Sequence, residues 1–174
     1  VSTKRNDIFP VTSCDCPDCR AACLNSPGWF MPNQIAPLAD HLGLTVPELF
    51  NSKLAVGVTR LADGSEVHGL MPHKLRDRKK PGSVWSLVEL AEPGRCIFYD
   101  RGLCTIYKYR PYECARMMHD RPQESIKLRR RIVPHWTREA LREFGELVGR
   151  KLMGAKPKGA TLNGAKLNGA KPRG

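Results

Sequence analysis

The sequence predicts a small α+β fold, a single irregular domain with short helices, one hairpin and a C-terminal helix. Three observations carry this. The 174 residues suit one domain with a modest core. The apolar period changes along the chain: helical over 33–42, alternating over 54–69, and helical again over 138–152. All seven cysteines fall into two groups, Cys14, Cys16, Cys19 and Cys23, then Cys96, Cys104 and Cys114. A thiolate is a soft ligand, and short spacings let one loop deliver several thiolates to one ion. The domain is therefore expected to be organised around a cysteine-ligated metal site.

The first group sets the geometry. Cys16-x2-Cys19 has the bite of zinc and iron–sulfur sites, and Cys19-x3-Cys23 spans one helical turn, which puts both sulfurs on one face. In a reducing compartment so dense a cluster favours metal or catalysis over disulfides, and an odd count suits a closed disulfide framework poorly. No apolar run is long enough to span a membrane, and no signal segment opens the chain, so the expected location is the cytoplasm.

Residues 1–13 read as an extended lead-in, 14–153 as the cysteine-cluster domain, and 154–174 as a basic tail. After the first cysteines, Pro27-Gly28-Trp29-Phe30-Met31-Pro32 is a turn whose aromatic pair is expected either to shield the metal loop or to sit in the core beneath a surface turn. Asn33 can cap a helix over 33–42 that Gly43 ends and that Pro37 should shorten or kink. Thr45-Val46-Pro47-Glu48 reads as a capping box. Leu54, Val56 and Val58 alternate, Asp63-Gly64 makes a hairpin turn, and Glu66-Val67-His68 returns.

Residues 84–90 read as a strand or buried segment that Pro93-Gly94 ends. Cys96 and Cys104 flank a tight turn at Asp100-Arg101-Gly102, and Pro111 can open the helical turn that presents Cys114. A short helix from Glu124 is broken by Pro134. Thr137 then caps a helix over 138–152, with Leu141, Phe144, Leu147, Val148 and Leu152 as its apolar stripe.

Net charge is +12, and residues 151–174 carry six lysines and arginines and no acid. Such a surface favours nucleic acid, an anionic membrane or another acidic partner, and the partner expected here is RNA or the ribosome rather than a membrane. The candidate phosphate contacts are Lys74, Arg76, Arg78, Lys79 and Lys80, and Lys127, Arg129, Arg130 and Arg131. The tail begins a pentad at each of Gly154, Gly159, Gly164 and Gly169. The middle two resemble pentapeptide-repeat sequence. Four pentads make about one coil, too little to bury its own faces, so the tail is expected to be disordered.

With both cysteine groups in view, the chain resembles the YkgJ-type cysteine-cluster family of zinc- or iron-chelating proteins. The residues that carry the likeness are Cys16-x2-Cys19-x3-Cys23, Pro27-Gly28-Trp29-Phe30-x-Pro32, His41-Leu42-Gly43-Leu44, and Cys96-x7-Cys104-x-Ile106-Tyr107-x2-Arg110-Pro111-x2-Cys114. The resemblance implies zinc or an iron–sulfur cluster and no particular reaction. Relatives carry adjacent cysteines in the first cluster, where this chain has Cys14-x-Cys16, and after the last cysteine it reads Ala115-Arg116-Met117-Met118-His119.

Seven thiolates leave one place open if there are two four-ligand sites, and His119 is the candidate for it. Three readings follow. The chain is a metal-binding protein with zinc or an iron–sulfur cluster, or a nucleic-acid- or ribosome-binding module braced by a structural metal. The third is a metal-dependent oxidoreductase or modifying enzyme. No Ser-His-Asp set, Gly-rich phosphate loop or paired-carboxylate motif identifies a catalytic residue.

Overall fold

The computed structural model describes residues 9, 11–12, 16–117 and 124–157. Cys14, His119 and the chain beyond residue 157 lie outside the described residues. The architecture is α+β, with short helices and three two-stranded antiparallel sheets among the described residues.

Helix α1 (Pro17–Asn25) begins straight after Cys16, which is extended at φ −76° and ψ 163°. Pro17 takes the first helical position, where its missing N–H leaves no helical bond unmade, and Asp18 favours the helix start. A 3₁₀ turn (Pro32–Gln34) leads into α2 (Ile35–Leu42), and Gly43 ends it at φ +66°. Pro37 sits in the first turn of α2, so it neither kinks nor stops the helix. The capping box at Thr45 opens α3 (Val46–Lys53): Glu48 accepts the Thr45 N–H at 2.8 Å, and Thr45 Oγ1 accepts the Glu48 N–H at 3.3 Å.

Strands β1 (Leu54–Arg60) and β2 (Glu66–Pro72) form the central hairpin, with Leu54 opposite Pro72 and Arg60 opposite Glu66. The first five residues of β1 are all buried, so it does not alternate as a half-exposed strand would. Both hairpin edges are covered. Along β1, Val56 donates to Ser83 O and accepts from Trp85 N, each at 2.9 Å. Along β2, Phe30 N donates to Leu70 O at 3.0 Å and His68 N to Met153 O at 2.8 Å.

Strand β3 (Lys74–Leu75) pairs with β4 (Arg95–Cys96). Between them Ser86 and Glu89 form a capping box that opens α4 (Leu87–Ala91). The segment expected as a strand or buried stretch thus holds a short helix with no buried residue, since the box satisfies the backbone donors that a strand would have paired. Strands β5 (Tyr99–Asp100) and β6 (Leu103–Cys104) flank a turn with φ +46° at Arg101 and +84° at Gly102. Helices α5 (Tyr112–Ala115) and α6 (Glu124–Ile132) follow, and Pro134 lies in a 3₁₀ turn that closes α6.

Helix α7 (Arg142–Leu147) is shorter than the helix expected over 138–152. Gly149 at φ +65° turns the chain out, and Leu152 packs into the core from an extended segment instead. The packed chain also passes the expected boundary at residue 154, since Ala155 N donates to Trp136 O at 2.8 Å.

The core joins Trp29, Phe30, Phe50, Trp85, Trp136 and Phe144 with the aliphatic faces of α2, α3 and the central hairpin. Among the described residues no helix is long and apolar enough to cross a membrane.

Candidate metal centre

Three elements bring the two cysteine groups together. Helix α1 carries Cys19 and Cys23 one turn apart, and both face one cavity of about 460 Å³. Cys96 at the end of β4, Cys104 at the end of β6 and Cys114 in α5 line the same cavity. Phe98, Tyr99, Leu103 and Ile106 complete an apolar wall. Cys16, at the start of α1, does not line it, nor does any histidine among the described residues.

The local backbone explains how the second group is aimed. Gly28 N donates to Cys114 Sγ at 3.2 Å. The segments that carry Cys96 and Cys104 are tied in place by Ile97 N, which donates to His73 O at 2.9 Å, and by Thr105 N, which donates to Phe98 O at 2.8 Å. N–H groups aimed at a sulfur stabilise its anionic form and tune a metal bound there.

Burial works the other way. It pushes the Cys96 thiol up to about 12, against the Phe98 and Tyr99 N–H groups, with nearby Cys23 and Cys104 adding to the rise. Burial raises Cys114 well above the ordinary thiol value, Cys96 adds to it, and the Gly28 N–H opposes it. Cys23 is raised by burial and by Cys104, and Cys104 by burial against the Ile106 N–H and Arg110. Cys23, Cys96, Cys104 and Cys114 are free thiols.

Among the described residues no three His, Cys, Asp or Glu side chains form a group arranged to hold a metal ion. The fit to a metal therefore lies in the donor set: soft thiols from several segments, one shared cavity, and a backbone N–H donating to the Cys114 sulfur.

The Trp29–Phe30 pair sits in the hydrophobic core and does not line the cavity. Trp29 O accepts from Glu113 N at 3.3 Å, and Glu113 Oε2 accepts from Trp29 N at 2.8 Å, which joins the two cysteine halves through one main-chain bond and one carboxylate bond. Arg110 is a second tie, donating to Thr12 O and to Tyr107 O at 2.7 Å each. Glu113 was not among the sequence candidates. Its signal was its position beside Cys114, as the first acid after Asp100 in a basic stretch.

Several candidate phosphate contacts are committed elsewhere. Lys74 is 1% exposed, and its Nζ donates to Leu90 O at 2.9 Å and Glu92 O at 2.5 Å, so it belongs to no surface patch. Arg76 pairs with Glu92, Lys79 with Glu89 and Arg129 with Glu113. Arg78, Lys80, Lys127, Arg130 and Arg131 are exposed.

No family model, curated protein or solved structure matches this chain.

Proposed function

We propose that this is a thiolate metal-binding protein that holds zinc or an iron–sulfur cluster between its two cysteine groups. The observation that carries this is the single cavity lined by Cys19, Cys23, Cys96, Cys104 and Cys114. The likeness to the YkgJ-type cysteine-cluster family supports it, since Cys96, Cys104 and Cys114 all stand at positions of that motif. Cys23, Cys96, Cys104 and Cys114 would hold the metal, with Cys19 facing the same cavity. Buried thiols are poor anions alone, and a bound cation compensates the charge that burial penalises. The cytoplasm, where thiols stay reduced, suits such a site.

The test is metal analysis with a visible spectrum on protein purified without oxygen. Thiolate-bound zinc or iron is expected in the wild type, with loss of metal in Cys23→Ser and Cys114→Ser. Full metal content in both variants would overturn the proposal.

A second reading, an RNA-binding module braced by this metal, draws on the exposed Arg78, Lys80, Arg130 and Arg131. RNA affinity that falls steeply with salt, and less steeply once these four are replaced, would support it. Affinity indifferent to salt would remove it.

A further inference from the structure

Helix α6 reaches the cysteine cavity through a chain of directed contacts. Arg129 Nε donates to Glu113 Oε2 at 3.0 Å, and Nη2 to Oε1 at 3.1 Å, a two-point grip on one carboxylate. The pair is shielded: the side chains are 26% and 8% exposed. Glu113 Oε2 also accepts the Trp29 N–H at 2.8 Å. One residue earlier, the Gly28 N–H donates to Cys114 Sγ at 3.2 Å. The turn that carries that donor is thus fixed by a carboxylate that Arg129 fixes in its turn.

Two features make the fit tight. A Cβ at Gly28 would stand 2.8 Å from Glu113 Cβ and 2.9 Å from Cys114 Sγ, so the turn lies flat against both residues. The Arg129 guanidinium also stacks over the Trp29 ring, 4.3 Å from its centroid, which limits where it can swing.

We propose that Arg129 and Glu113 are positioning residues for the Cys114 thiolate, holding the Gly28 N–H on its sulfur. The inference rests on the metal-binding reading above. A buried ion pair contributes little to stability over an apolar pair of similar size. An apolar pair, however, could not accept the Trp29 N–H or hold the turn in place. Arg129 also neutralises the one carboxylate adjacent to Cys114, which would otherwise oppose a second negative charge there. Partners that orient a ligand in this way typically change metal affinity about 10–100-fold when lost.

The experiment uses the full chain, stripped of metal under argon and titrated with cobalt(II) alone. Thiolate-to-cobalt charge-transfer absorption reports binding, and competition with a chelator gives the affinity. Arg129→Lys keeps the charge but not the two-point grip; Arg129→Gln loses both. Loss of roughly tenfold or more in cobalt affinity in both variants, with the charge-transfer band shifted and the far-UV spectrum native, is the expected result.

Wild-type affinity in Arg129→Lys with loss only in Arg129→Gln would reduce the effect to charge and overturn the positioning role. Unchanged affinity in both would overturn it outright. If Arg129→Gln does not fold, the double variant Glu113→Gln/Arg129→Gln removes both charges together. It is expected to bind cobalt more weakly, and wild-type affinity would overturn the inference. Absence of thiolate absorption in the wild type would instead count against the metal-binding reading itself.

Discussion

Gly57 and Gly69 stand directly opposite each other in the central hairpin, and the Trp29 indole lies on the flat patch they leave. A Cβ at Gly69 would come within 2.4 Å of Trp29 Cζ3 and 2.8 Å of Trp136 Cδ1, and one at Gly57 within 3.1 Å of Trp29 Nε1. Those contacts are with buried rings, which have no room to move. Gly69→Ala is expected to cost about 1–3 kcal/mol by overpacking, and Gly57→Ala less. Urea denaturation of the two variants would test the ranking, and equal stabilities would contradict it.

Trp136 ties the C-terminal segment to the aromatic turn. Its Nε1 donates to Phe30 O at 2.9 Å in a fully buried position. Trp136→Phe keeps a ring there but strands the carbonyl, so a loss of about 1–3 kcal/mol is expected from the unmet acceptor alone. A midpoint shift well below that in chemical denaturation would mean the carbonyl finds another donor.

The Lys79–Glu89 pair should leave a mark on acid stability. The Lys79 hydrogen bond, at 2.5 Å, and then the Ser86 N–H lower the Glu89 carboxyl from 4.5 to about 2. The folded value lies below the unfolded one. The stabilisation is therefore fully present above about pH 4.5 and is lost as pH falls toward 2. The Glu89 side chain is 39% exposed, so screening keeps the effect within about 1 kcal/mol. Glu89→Gln should be less stable than wild type at pH 7, with the gap closing near pH 2. A gap that stays constant across this range would show that charge is not its source.

Cys96 is 7% exposed, under the apolar wall of the cavity. In metal-free protein its alkylation by iodoacetamide at pH 8 should be at least ~100-fold slower than in the urea-unfolded chain, because both access and thiolate fraction are reduced. Mass spectrometry of timed samples would measure this. Equal rates would mean that the cavity opens readily without metal.

Much of the local structure was legible from short-range chemistry. The Thr45–Glu48 box, the Gly43 stop and the Asp63-Gly64 turn each depend on residues within four positions of one another. The same rule applied at Ser86 and Glu89 points to α4, whereas the apolar run of 84–90 taken alone suggests a strand or buried segment. The one-turn spacing of Cys19 and Cys23 likewise placed both on one face of α1.

By itself, the sequence determined the capped start of α3, the Gly43 stop, the central hairpin turn, and that cysteines come in two groups. These follow from backbone sterics and from donors and acceptors that lie close along the chain. Tertiary structure alone decided that five thiols share a cavity while Cys16 stays out of it. It also turned Lys74 inward to two carbonyls and gave Arg129 to Glu113 rather than to the surface. The partners in those contacts lie 16 to 18 residues away, and the hydrogen-bonded Gly28 and Cys114 lie 86 apart. A charged side chain carries no local sign of whether it will meet water or a buried acceptor. That depends on which segments pack together.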